Sequence, residues 1–354
     1  MNSNFWNKKR VLVTGHTGFK GSWLSLWLQE LGAEVTGFSN NIPTEPSMFK
    51  IAHVENEMNS VFGDIRDISK IQNVINEFKP EIIFHLAAQS LVQESYNNTI
   101  ETFSTNILGT VNLMEAIRAS QSVQVVINVT SDKCYEENEL DRGFVETDPM
   151  GGHDPYSCSK GCSELITSSY RKSFFNKNKN SNVMVSSVRA GNVIGGGDWA
   201  KDRLIPDIIK GILKNNPIMI RNPNYVRHWQ HVLDPLYGYL SLAEKMWSHD
   251  EKFADSWNFG PKENNAKSVE WILEKFNEYW KGGIKWKIDQ RKFNHENKFL
   301  KLDSSKSKLM IDWESKIELD NAIKMIVDWY EKLKNCEDMR EVTIKQIQEY
   351  SRIQ

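Results

Sequence analysis

Two short stretches carry side chains able to do proton and hydride chemistry. Thr130-Ser131-Asp132-Lys133 closes an apolar, β-branched run from Val123 to Val129, so a hydroxyl, a carboxyl and an amine gather where open parallel sheets usually place their ligands. Beyond a polar loop comes Tyr156-Ser157-Cys158-Ser159-Lys160. Its four-residue interval puts Tyr156 and Lys160 on one side of a helix, where the ammonium lowers the phenol's pKa and can also reach a ribose. Such a pair is common on helices with no chemical role. Following a series of strand-helix units and a Ser-Asp strand end, it points to tyrosine-assisted redox chemistry.

The elements that must position these groups begin at Arg10-Val11-Leu12-Val13-Thr14-Gly15-His16-Thr17-Gly18-Phe19-Lys20-Gly21. A strand stops at Gly15, glycines recur at three-residue intervals, and Ser22 to Leu28 then shows apolar residues at helical spacing. In that strand-turn-helix, Gly15, Gly18, Phe19 and Gly21 let a diphosphate approach the free N–H groups at the helix start. Glu34 to Phe38 reads as the second strand, and Ser39-Asn40-Asn41 then occupies the place of an adenosine ribose. Neither an acid nor a base stands there, so the choice between NAD and its phosphorylated form is not set at this position. Asp64 is placed to accept from an adenine amine while Ile65 covers the ring, with Asp67 capping the helix that runs to about Phe78.

Glu81 to Gln89 is a continuous apolar strand suited to a parallel sheet covered on both faces, and Leu86, Ala87 and Ala88 at its end permit close passage of a cofactor. Asn106, in the next helix, ties the active-site loop together and is placed among the cofactor contacts. Val183 to Ala190 supplies a further central strand before the glycine-rich Gly191 to Asp198. The expected fold is α/β, a doubly wound Rossmann-like parallel sheet over residues 1–190. A smaller α/β substrate domain over 191–354 interleaves some of its elements with the first. It holds a helix around Ile205 to Lys214, a strand at Pro217 to Ile220, and Arg227, which can grip a phosphate bidentately. The later tryptophans fall among apolar helix positions and read as core, and the chain past about Tyr330 carries no chemical motif.

Composition narrows the partners. With 44 basic and 46 acidic residues among 354, the formal charge of -2 gives no bulk electrostatic reason to bind nucleic acid or an anionic membrane. The four cysteines, Cys134, Cys158, Cys162 and Cys336, lack both zinc-ligand and secreted-framework spacing, so reduced thiols and no metal are expected. No leader pattern precedes Arg10 and no apolar run approaches bilayer length, which points to a cytoplasmic protein.

TGHTGFKG, HLAAQ, TSDKCY, YSCSK, GNVIGGGDWAKDR and RHWQHV together resemble the extended short-chain dehydrogenase/reductase family and, within it, the CDP-glucose dehydratases, over about Arg10 to Trp329. The resemblance implies a retained NAD and a homodimer. It also implies conversion of CDP-D-glucose into CDP-4-dehydro-6-deoxy-D-glucose and water, for the deoxysugars of O-antigen-type lipopolysaccharide. It assigns Tyr156 and Lys160 as the redox pair, and Ser131 and Asp132 as hydroxyl and acid. Asn192, Asp198, Arg203 and Arg227 become substrate contacts. Related dTDP-glucose dehydratases have Thr-Asp-Glu where Ser131-Asp132-Lys133 stands here, so Lys133 takes the place of the C5 base, and Gln93 stands where that family has arginine. A nucleotide-sugar C4 epimerase is the alternative on the same fold, and a non-catalytic nucleotide-sugar-binding regulator is the alternative from another class.

Overall fold

The computed structural model describes residues 3–137, 142–175, 181–290 and 300–353. Its first part alternates strands and helices: α1 (Ser3–Trp6), β1 (Arg10–Thr14), α2 (Phe19–Glu30), β2 (Glu34–Ser39), α3 (Met48–Ile51), β3 (Asn59–Phe62), α4 (Ile68–Phe78), β4 (Ile82–His85), α5 (Val92–Asn97), α6 (Thr99–Phe103), a π-helical stretch (Ser104–Leu108), α7 (Gly109–Arg118), β5 (Val125–Val129), α8 (Pro155–Ser173) and β6 (Met184–Arg189). The apolar runs of β4 and β5 are buried at every residue, as strands covered by helices on both faces must be. Their parallel registers, Leu12 with Ile83 and Ile127 with Phe84, set the tips of β1, β4 and β5 side by side.

From residue 191 the chain forms β7 (Val193–Ile194), α9 (Leu204–Leu213), β8 (Ile218–Ile220), β9 (Val226–His228), β10 (Gln230–His231), α10 (Leu233–Met246), β11 (Ser256–Asn258), β12 (Ala266–Ser268), α11 (Val269–Tyr279), β13 (Trp286–Ile288), α12 (Ser305–Ile311), α13 (Leu319–Lys334) and α14 (Met339–Ser351). The large sheet runs β11-β6-β5-β4-β1-β2-β3, all parallel, so a strand from the later chain closes its edge beside β6. Order reverses between β1 and β4, the crevice where such sheets hold ligands. Three two-stranded pieces, β7 with β10, β9 with β12 and β8 with β13, build the opposite wall.

Both chain ends pack into the core. Before Arg10, α1 buries Trp6, whose indole N–H donates to Glu244 at 2.7 Å. Beyond Tyr330, α14 lies on α2 and covers a flank that a simple amphipathic helix would leave wet. Hence Gly21 through Leu28 are all buried. The α14 contact is specific, because the Tyr350 hydroxyl donates to Asp234 at 2.9 Å and the Arg340 guanidinium to Gln29 at 2.9 Å.

The strand end that carries Ser131 and Asp132 is held from beneath. Glu164, on the same face of α8 as Tyr156 and Lys160, pairs with Arg189 of β6 at 2.8 Å, both side chains almost fully buried. The same carboxylate accepts from Thr130 at 2.5 Å and Ser187 at 2.6 Å. Arg189 lowers the Glu164 pKa against the pull of burial. Removing one member of a buried pair strands the other charge, which costs about 3–5 kcal/mol. Glu164→Ala is therefore expected to lose stability on that scale in urea unfolding, while Ser169→Ala on the exposed side of α8 shifts it by less than about 0.5 kcal/mol. Equal midpoints for the two variants would contradict the clamp.

Candidate active site

At the end of β1 the chain turns through Gly15, whose φ of +77° a side chain rarely adopts, and a Cβ on Gly21 would lie 2.1 Å from the Gly15 carbonyl oxygen. Gly18 precedes α2 without any side-chain cap, leaving first-turn N–H groups available to an anion. These features fit a dinucleotide diphosphate. His16 points the other way. Its ring bonds Ser39 at 2.9 Å and Ser60 at 2.7 Å, and burial pushes its pKa down to about 4, so a neutral imidazole fastens the ends of β2 and β3.

Gly15, Gly18, Phe19, Gly21, Asp64, Ile65, Leu86, Ala87 and Ala88 all line one cleft of about 790 Å³. Two of the expected adenosine contacts are differently engaged. The Asp64 carboxylate is gripped by Arg66, at 2.6 Å and 3.0 Å, which holds its pKa below the usual range, so an adenine amine has to share it. Ile65 is buried against Gly109 at the cleft wall. Asn106 is a correction: it does not line the cleft. Its amide is consumed by the Gln89 backbone, accepting from the N–H at 2.8 Å and donating to the C=O at 2.9 Å, and by Ser159 at 2.8 Å. It ties the loop after β4 to α8, as the sequence suggested, rather than touching a cofactor.

The reactive groups meet where that cradle faces the later chain. Ser131 caps a short turn, its hydroxyl accepting from the Lys133 N–H at 3.2 Å and donating to Asp132 at 3.0 Å. The same hydroxyl stands near the Tyr156 phenol and favours its ionised form. Asp154 caps α8 by accepting from the Ser157 N–H at 2.9 Å, and Pro155 opens the helix, which places Tyr156 in its first turn. Burial pushes the Tyr156 pKa up to about 12, with the Ser131 hydroxyl and the charge of Arg203 opposing. The expectation of a lowered phenol pKa is therefore not met in this state, because desolvation outweighs the cations. The Lys160 ammonium donates to the Val129 carbonyl at 3.2 Å, and burial brings its pKa down to about 8 against the pull of Glu164.

Asn192, Asp198, Arg203 and Arg227 line the same cleft, with Lys133 at its rim. Asp198 aims Arg203, pairing with it at 3.1 Å, and has its own backbone oxygen held by the Tyr330 hydroxyl at 2.8 Å. Arg227 lies over the Tyr225 ring, 5.3 Å from its centre. Among the described residues there is no cluster of ligands for a metal ion.

Two residues of this site escaped the sequence reading. Lys20 projects from the glycine turn into the cleft, among the charges of Arg203, Asp132, Lys160 and Asp198, and burial lowers its pKa to about 8. A cation inside a phosphate-binding turn was the available signal. Gly191 was read only as part of a boundary. The Asp132 carboxylate occupies the space of its missing side chain: a Cβ there would lie 1.8 Å from Oδ2. Its φ is not positive, so the backbone tolerates a side chain and the carboxylate alone excludes one. Gly191→Ala is expected to destabilise by about 1–3 kcal/mol, as overpacking does. Most of that loss should vanish when Asp132→Ala is added, and additive losses in urea unfolding would show that something else fills the space.

The sequence is matched over residues 12–326 by the family model described as GDP-mannose 4,6 dehydratase. It is 49% identical over 352 residues to the CDP-glucose 4,6-dehydratase of Salmonella typhimurium, covering 99% of this chain and 98% of that one. The dTDP-glucose 4,6-dehydratase of Haemophilus influenzae is 25% identical, covering 90% of this chain and 97% of its own. In fold, the chain is similar to the dTDP-glucose 4,6-dehydratase of Bacillus anthracis, solved with NAD. The TM-score is 0.75 at 23% identity, covering 93% of this chain and 98% of that one. The UDP-glucose 4-epimerase of Thermotoga maritima, solved with UDP-glucose, gives a TM-score of 0.77 at 21% identity, covering 92% and 99%. Spanned by that family model and nearly half identical end to end to a sugar-nucleotide dehydratase, the chain belongs to the GDP-mannose 4,6 dehydratase family of extended short-chain dehydrogenases/reductases.

Proposed function

We propose that this protein is an NAD-dependent enzyme converting CDP-D-glucose into CDP-4-dehydro-6-deoxy-D-glucose and water. The observation that carries the reading is the gathering of Tyr156, Ser131 and Asp132, with Ser131 donating to Asp132, in a cleft that has a dinucleotide cradle on one wall and arginines on the other. The near-half identity to a CDP-glucose 4,6-dehydratase supports the nucleotide and the hexose.

The Gly15 to Gly21 turn and the tips of β2 and β4 fit NAD, which when bound takes the hydride from C4 of the hexose and returns it to C6. Tyr156 accepts the proton of the C4 hydroxyl, and Ser131 donates to the oxygen as it becomes a ketone. A phenol pushed up by burial needs cations to release its proton, and Arg203 opposes the burial effect here. Once C4 is a ketone, the C5 hydrogen is acidic. Lys133, as the neutral amine, removes it, and Asp132, as the protonated acid, passes a proton to the departing C6 hydroxyl, which leaves as water. Reprotonation at C5 completes the product. A C4 epimerase returns the hydride to C4 and loses no water, which leaves the held Asp132 carboxyl without a task.

A second copy of the chain is the proposed partner. Ile100, Leu108 and Leu165 stand 86%, 56% and 61% exposed on the adjacent elements α6, the π-helical stretch and α8, an apolar face suited to a homodimer. A cytoplasmic location accords with four free cysteines, and no helix among the described residues is long and apolar enough to cross a membrane.

The test is turnover of CDP-glucose with product identified by mass and NMR. The native protein should yield a 4-keto product lighter by one water. Tyr156→Phe should lower turnover by about 10²- to 10⁴-fold. Asp132→Asn should still oxidise C4 and accumulate reduced cofactor, read by its absorbance, while water loss stalls. Dehydration at the native rate by Asp132→Asn would remove the acid role.

A further inference from the structure

We propose that Asp207 reads the 4-amino group of the substrate's base, so that this one carboxylate makes the site choose cytosine over uracil and thymine. The inference rests on the nucleotide-sugar reading above. With the hexose at Tyr156 and the diphosphate against Arg203, the base falls in the remaining end of the cleft. We assign that end to the first turn of α9, β8 and the chain just after it, which bring Leu204, Asp207, Met219, Asn222 and Tyr225 into the cleft lining. The Asp207 N–H donates to the Arg203 carbonyl at 3.0 Å, so Asp207 follows Arg203 by one turn on the same flank of α9, one step farther along the cleft.

The Asp207 carboxylate is half-buried and has no hydrogen-bond partner among the described residues. The cations around it are engaged elsewhere. Lys210 donates to the Trp199 and Ala200 carbonyls at 2.8 Å and 3.3 Å, and Arg221 pairs with Asp202. Asp198 and Asp202 add negative charge. Desolvation, with those acids, pushes the Asp207 pKa up to about 6. Asp207 stands in the first turn of α9, where the helix dipole favours an acid, but it caps none of the helix N–H groups, so its oxygens are open to a donor from the cleft.

Such a group calls for a ligand that donates. Cytosine presents an amino group at position 4, for which a carboxylate is the natural acceptor, whereas uracil and thymine present a carbonyl oxygen at that point. Carboxylate and carbonyl would then face each other as two acceptors with no proton between them, and leaving buried polar groups unpaired is how a site rejects an analogue.

The experiment compares kcat/KM for CDP-glucose and UDP-glucose in the native protein, Asp207→Asn and Asp207→Leu, with binding of CDP and UDP to each measured by calorimetry. The native protein should favour the cytidine compounds. Asp207→Asn, whose amide can both accept and donate, should raise KM for CDP-glucose by about 10- to 100-fold with kcat little changed, and should shrink the cytidine preference at least about tenfold. Asp207→Leu should lose cytidine affinity without gaining uridine affinity. A cytidine preference undiminished in Asp207→Asn, or CDP and UDP binding equally well to the native protein, would overturn the assignment to Asp207 while leaving dehydration of CDP-glucose standing. Failure of the native protein to dehydrate CDP-glucose would instead overturn the functional reading, and the calorimetry would still decide the base.

Discussion

The buried pair of Glu164 and Arg189 is the constraint on which the rest of the site depends. Glu164 lies two turns along α8 from Tyr156 and one from Lys160 on a shared face, so fixing its carboxylate fixes the rotation of the helix that carries both. Arg189 belongs to β6, and Thr130, which donates to the same carboxylate, immediately precedes Ser131 at the tip of β5. One carboxylate thus sets phenol, ammonium and serine relative to one another. The network reaches farther. The Arg189 guanidinium donates to the Tyr135 hydroxyl, which donates to Asn258 of β11 at 2.8 Å, bringing the late edge strand into the same registration. Buried ion pairs are weak sources of net stability, and position is the more convincing return here.

Above that base the cleft sets charge against burial. Desolvation raises the Tyr156 pKa to about 12 and lowers those of Lys160 and Lys20 to about 8, which moves each toward its neutral form while leaving both lysines mainly cationic at neutral pH. The acids respond by geometry. Asp198 is committed to Arg203, whereas Asp132 is kept in place by the Ser131 hydroxyl and by a glycine that yields its volume. Two carboxylates in one cleft are thus held differently: Asp198 directs a cation, and Asp132, which takes no cation among the described residues, is the one proposed as the acid. Lys20, Arg203 and Arg227 line the same cleft and offer a diphosphate charge-assisted contacts.

What the sequence made legible follows from local rules. Strand tips, helix caps and the four-residue interval located Ser131, Asp132, Tyr156 and Lys160, and the same reasoning found the parallel sheet and the linking role of Asn106. What it missed depends on chain segments far apart in sequence. Gly191 matters because Asp132 leans into it, and α2 is buried all round because α14 and α10 return to cover it. β11 joins the first sheet from beyond residue 250. No helical or strand periodicity reports such returns. The expected fall in the Tyr156 pKa failed for a related reason, because spacing along a helix specifies a neighbouring cation but not the water excluded by everything packed above it.

The central claim is that one pocket takes a hydride from C4 of the hexose and gives the same hydride to C6, with water lost between. CDP-glucose carrying deuterium at C4 tests it most directly, with the product's label located by NMR. The account predicts deuterium on the C6 methyl group of a 4-keto product, transferred within one molecule when labelled and unlabelled substrates are mixed. Deuterium back on C4 of an intact hexose would instead make the enzyme an epimerase, and deuterium lost to solvent would contradict hydride return altogether.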